Sequence, residues 1–184
     1  PNIENKINEL FKGFNLKDTS FESFISFKEN LPSKYKKILN SIDFHKGTIN
    51  SLPQIYLINK SYQLLMPFID EYDLVFRCRY DSLFIHPLKI YDLNKLKSYK
   101  YLYNLNFGRS FNPKRIYDIF FGGSLSATYF MATIWDDLPK LINDDFDNLL
   151  DKRDSCRLIF LGAYKSKIKV KTLCTRICDV YRMG

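Results

Sequence analysis

Residues 71 to 84 read EYDLVFRCRYDSLF. The run Leu74-Val75-Phe76 has the composition of a buried strand. It passes straight into Arg77, Arg79 and Asp81 before turning apolar again at Leu83-Phe84. In an open α/β sheet, ligands collect in the crevice at the carboxyl ends of strands, and Arg79 and Asp81 stand where this strand would end. A carboxylate there can bind a divalent cation that bridges two phosphates, and an adjacent arginine can hold the phosphates directly. The same two residues also suit a plain Arg–Asp salt bridge at a strand terminus, and spacing alone favours that salt bridge.

Upstream, Leu52, Ile55, Tyr56, Asn59, Tyr62, Gln63 and Met66 recur at helical spacing. They predict a long helix capped by Asn50 or Ser51 and kinked or ended by Pro67. Earlier, Ile3, Ile7, Leu10 and Phe11 predict a short amphipathic helix stopped by Gly13. Phe21, Phe24, Ile25 and Phe27 predict another, and Pro32 opens a third helical segment. Strands are expected at Leu74 to Cys78, Leu83 to Ile85, Tyr99 to Leu105 and Ile116 to Phe121. Gly122 and Gly123 close the last of these, and Ser124 caps a helix running to about Asp136. Helices follow over residues 138–152 and near Asp154 to Tyr164, and an alternating tail forms one or two strands. Interleaved helices and strands imply an α/β fold. The 184 residues carry no internal repeat, low-complexity tract or Gly/Pro/Ser-rich linker, so residues 1–184 are expected to form a single domain.

Aromatic residues make up 16% of the chain, which argues for a core built on rings and against disorder. The 28 Lys and Arg against 20 Asp and Glu leave a net +8, favouring phosphates, nucleic acid or an anionic membrane surface. No apolar run is long enough to span a bilayer. The opening PNIENKINELF lacks the pattern of a secretory signal, so a cytoplasmic location is expected. Cys78, Cys156, Cys174 and Cys178 have no disulfide or zinc spacing and read as reduced thiols. His45 and His86 are too far apart in the chain for a local metal motif. Nucleophile-elbow, P-loop and dinucleotide-binding glycine patterns are absent. The acidic run WDDLPKLINDDFDNLLD reads as a solvated helix face. The stretches KYKK, KLKSYK and KSKIKVK, with tyrosines interleaved, support an alternative: a basic nucleic-acid-binding module without catalytic activity. Their dispersal, and the lack of any nucleic-acid module signature, place nucleic acid second.

Tyr72-Asp73, the apolar strand, Arg79-Tyr80-Asp81 and Leu83-Phe84 follow a helix reading SLPQIYLINKSYQLL. This order resembles bacterial and viral glycosyltransferases that build capsule or lipopolysaccharide, GT-A-like enzymes of the WavE-type polysaccharide-biosynthesis kind. YDIFFGGSLSATYFM resembles their second signature, here Asp118, Phe120, Phe121, Gly122, Gly123 and Met131. The resemblance covers roughly residues 50 to 135, with a weaker echo from Asp154 to Arg182.

The resemblance implies a GT-A-like mixed sheet flanked by helices. It also implies transfer of a sugar from a nucleotide-sugar donor to a glycan or lipid-linked glycan acceptor, in surface polysaccharide or glycoprotein glycan synthesis, by a cytoplasmic enzyme with peripheral membrane contact. Donor binding would fall to Arg77, Arg79, Asp81, Gly122 and Gly123, with Asp81 holding a Mn or Mg ion. Arg79 and Asp118 would be catalytic, Arg79 supporting the departing diphosphate and Asp118 reaching the acceptor hydroxyl as base. The turn Gly122-Gly123-Ser124 would aim backbone N–H groups at a phosphate or sugar, or serve simply as a strand-to-helix turn. Two departures stand out. Arg79 occupies the place of the family's second carboxylate, and the chain opens on a polar helix where the family has its first nucleotide-binding strand.

Overall fold

The computed structural model describes residues 5, 9, 12, 24–39, 46–79, 82–84, 96, 97, 100–106, 115–143, 155–175 and 178–180. Tyr80, Asp81, His45, His86, Arg182 and most of the helix expected over residues 2–12 lie outside them. Four strands form a mixed sheet in the order β1-β4-β3-β5: β1 is Leu74–Cys78, β3 Tyr101–Asn106, β4 Phe120–Ser124 and β5 Lys169–Thr175. The β1/β4 and β3/β4 pairs are antiparallel and β3/β5 is parallel. A separate antiparallel pair joins β2, Ser82–Phe84, to β6, Cys178–Val180. The α/β expectation therefore holds, with a four-stranded mixed sheet.

The pairing register defines two rows on one face of the sheet. Val75, Gly123, Leu102 and Val170 lie side by side, and Arg77, Phe121, Asn104 and Thr172 form the next row. Leu102 and Phe121 are fully buried and belong to the main core, so this is the face on which the helices pack. That layer is built on α3, Lys46–Leu65, α5, Ile134–Asn143, and α6, Ser155–Lys165. Leu52, Ile55, Ile58 and Tyr62 form the buried stripe of α3 at helical spacing. On α5, Ile134, Trp135, Leu138 and Leu141 turn inward while Asp136 and Lys140 stay exposed; the rest of the acidic run, residues 144–151, lies outside the described residues.

Two short helices, α1 at Phe24–Glu29 and α2 at Ser33–Leu39, are held on this layer by Trp135. The Tyr35 ring stacks on Trp135 at 4.1 Å, and its hydroxyl donates to the Trp135 carbonyl at 2.7 Å. Phe27 and Tyr56 pack around the same indole. Ile25, expected on the inner face of α1, is 69% exposed, because a six-residue helix seated on Phe27 cannot turn Ile25 inward as well.

Other boundaries also differ from expectation. α3 begins at Lys46, ahead of the expected caps, and Pro67 ends it in a 3-10 turn over Met66–Glu71. Gln63 and Met66 are exposed. Gly122 and Gly123 do not close a strand but lie in the middle of the sheet, inside β4. A Cβ on Gly122 would overlap the Val75 carbonyl and come within 2.6 Å of Phe76 Cα; one on Gly123 would stand 2.8 Å from the Tyr101 carbonyl. Glycine here permits close approach of the neighbouring strands. Ser124 does cap the next helix, its hydroxyl accepting from the Ala127 amide at 3.2 Å. That helix, α4, spans only Leu125–Thr128 before a 3-10 turn at Tyr129–Ala132, and α5 starts afresh at Ile134.

Candidate functional site

Antiparallel pairing carries the C-terminal end of β1 to the N-terminal end of β4, with Cys78 opposite Phe120. One residue further, the Arg79 amide donates to the Ile119 carbonyl at 3.0 Å. Arg79 is thereby set beside Asp118, and its Nη1 donates to Asp118 Oδ2 at 3.2 Å. The Cys156 thiol lies 3.9 Å from the other carboxylate oxygen, Oδ1. The segment carrying Asp118 is pinned on both sides. Ile116 N donates to the Cys156 carbonyl at 3.0 Å, and the buried Asn104 accepts from Tyr117 N at 3.1 Å. Asp118 is itself buried.

Arg77 follows from the same register. It shares the helix-facing row with Phe121, and its guanidinium carbon lies 5.9 Å from that ring. Burial pushes the Arg77 guanidinium below its ordinary value; Asp118 acts in the opposite direction and Arg79 adds to the lowering. Arginine nonetheless stays protonated. Arg77 Nη1 is buried without a hydrogen-bond partner. A buried donor left unmade costs about 1–3 kcal/mol, more when charged, so the fold carries this group at a loss that a ligand oxygen would recover.

Both arginines line an open cleft of about 720 Å³ between α3 and the edge strand β1. Gln54, Leu57, Ser61 and Leu65 form the α3 wall at helical spacing, and Asp118 is the only carboxylate among the described lining residues. The Gln54 side-chain oxygen is likewise buried without a partner. Among the described residues two arginines therefore face one carboxylate at the same end of the cleft, an arrangement suited to an anion.

The structure brings together Arg77, Arg79 and Asp118 of the residues singled out from sequence. Asp81, assigned the metal, lies outside the described residues. Gly122 and Gly123 sit between β1 and β3, buried within the ladder rather than in a turn that offers N–H groups to a ligand. Gln54, Asn104 and Cys156 were not anticipated. Asn104 and Cys156 meet partners distant in sequence, and Gln54 is marked only by the partner it lacks, so no local spacing points to any of them.

A Mn or Mg ion does not fit the described cleft residues. Asp118 is committed to Arg79 and flanked by a second cation, and among the described residues no group of three or more His, Cys, Asp or Glu could hold a metal. The basic tail forms the edge strand β5, where Lys171 Nζ lies 3.4 Å from the centroid of Tyr101 and covers a ring face that a base would need. No helix among the described residues is long and apolar enough to cross a membrane. The chain matches no protein-family model, no curated protein and no solved structure.

Proposed function

We propose that the protein is a nucleotide-sugar-dependent glycosyltransferase of the GT-A-like kind, and that the cleft between α3 and β1 holds the donor's phosphates. The observation supporting this reading is the buried Arg77 Nη1, without a hydrogen-bond partner, beside the Arg79–Asp118 pair in an open cleft. A diphosphate supplies the acceptor oxygens that Arg77 lacks and competes with Asp118 for Arg79. Donor binding thus loosens the contact that occupies Asp118 Oδ2 and frees that carboxylate to take a proton.

In the transfer step, the acceptor hydroxyl oxygen of a glycan or lipid-linked glycan forms a bond to the anomeric carbon. The bond from that carbon to the diphosphate oxygen breaks, and the hydroxyl proton passes to Asp118. Arg77 and Arg79 stabilise the charge gathering on the departing diphosphate. No step is routed through a metal ion.

The test is a thermal-shift screen of UDP-, GDP-, CMP- and dTDP-sugars, with and without Mn, on the wild type, Arg77→Met and Asp81→Asn. A donor at about 100 times its dissociation constant stabilises the fold by roughly 2.7 kcal/mol. A shift lost in Arg77→Met supports the site, and loss of a Mn-dependent part in Asp81→Asn would restore the metal assignment. No shift from any donor removes the transferase reading.

A further inference from the structure

The cleft holds two buried groups without partners, and they have opposite hydrogen-bond sense: Arg77 Nη1 donates and Gln54 Oε1 accepts. They lie at the same end. Ser51, one helical turn before Gln54, accepts from the Ser155 amide at 3.1 Å, and the next residue, Cys156, reaches Asp118. Tyr62, two turns after Gln54, contacts the Leu125 carbonyl at 3.5 Å, and Leu125 follows Ser124, the strand partner of Leu74. The wall of α3 from residue 54 to 65 and the wall of β1 from 74 to 79 are each about 16 Å long and run past one another in opposite senses. The turn carrying Gln54 is thus tied to the Asp118 end of the cleft, and the turn carrying Tyr62 to the Leu74 end.

We infer that Gln54 is a specificity-determining residue that accepts a hydrogen bond from a hydroxyl of the transferred sugar, next to the phosphate that Arg77 holds, so that the cleft selects a nucleotide sugar over the bare nucleotide. This rests on the reading proposed above. An ionised phosphate satisfies Arg77 but has no proton to give an amide oxygen, and its charge opposes that oxygen's dipole. A hydroxyl close to the phosphate satisfies both groups at once. Sites built around a buried hydrogen-bonding group reject analogues that leave it unpaired, by factors far larger than apolar contacts achieve.

Isothermal titration of UDP-, GDP-, CMP- and dTDP-sugars against the matching bare nucleotides, on the wild type and Gln54→Leu, tests this. The wild type is expected to prefer a sugar-bearing form by about tenfold or more. In Gln54→Leu that preference should shrink to within about twofold, through weaker binding of the sugar form alone. Gln54→Met repeats the measurement if the leucine variant does not melt like the wild type. Equal weakening of sugar-bearing and bare nucleotides, or no preference in the wild type, overturns the inference and leaves the phosphate site standing. Failure of every compound to bind the wild type overturns both.

Discussion

Arg79 and Asp118, 39 residues apart in the chain, meet at 3.2 Å because antiparallel pairing of β1 with β4 places the end of one strand beside the start of the other. The contact sets two functions against each other. It holds Asp118 in place, and it reduces the positive charge that the cleft offers an anion.

Asp118→Asn is therefore expected to divide binding from turnover. Stability should fall by about 1–2 kcal/mol, between the values for exposed and buried ion pairs, because the Arg79 side chain is 31% exposed and that of Asp118 only 11%. Affinity for a nucleoside diphosphate should rise about tenfold as a nearby like charge disappears, while transfer is lost. Calorimetry and a product assay on one preparation check this; retained transfer would remove Asp118 as the base.

Arg77→Met should stabilise the protein by about 1 kcal/mol, since the relief of a buried donor left without a partner exceeds the lost contact with Phe121. Urea midpoints measure this directly. A destabilised variant would mean that Arg77 serves the fold rather than a ligand.

Gly122→Ala should cost about 3 kcal/mol, because the new methyl meets the Val75 carbonyl and Phe76 Cα, backbone atoms of β1 that cannot swing aside, as well as the Phe76 ring. Gly123→Ala should cost less, as its tightest contact, with the Tyr101 carbonyl at 2.8 Å, is a single atom. Equal midpoints for Gly122→Ala and the wild type would contradict the described β1–β4 spacing.

Alkaline pH should unfold the protein from its aromatic side. Burial raises both Tyr35 and Tyr62 above their ordinary value of 10.0. A raised folded pKa means that the native state holds these protons more tightly, so their contribution is complete below about pH 10 and is lost as pH climbs through the higher folded values. Tyr35→Phe keeps the ring on Trp135 and removes the hydroxyl that donates to its carbonyl. It should lower stability at neutral pH by about 1 kcal/mol and flatten the alkaline limb. Denaturation midpoints from pH 8 to 11 measure both effects.

Local chemistry made part of this fold legible. β1 was expected at its observed bounds because three apolar residues are flanked by charges, and Ser124 read correctly as a cap because the N-cap preference is intrinsic. β4 was placed several residues early. Ile116 is buried without being in a strand, and paired glycines, which commonly punctuate, are here required by the neighbouring backbones. The site was legible as a set of charges but not as an arrangement. Arg79 was weighed against Asp81, its neighbour in sequence, whereas its observed partner comes from a strand-pairing register that no local pattern encodes. Missing partners are still harder to read, since Gln54 and Arg77 differ from ordinary polar residues only in what the folded chain fails to place next to them.

The junction around Trp135 gives the protein an optical reporter of its own. Trp135 is the chain's only tryptophan, 8% exposed and stacked on Tyr35. Its emission should be blue-shifted and fed by energy transfer from Tyr35 while α1 and α2 remain docked. Separation of those helices would shift the emission to the red and interrupt the transfer even if the sheet stayed intact. A tyrosine elsewhere in the sheet, such as Tyr103, would report later. Fluorescence and circular dichroism followed through one titration would therefore show whether the amino-terminal helices leave first or the whole molecule comes apart together.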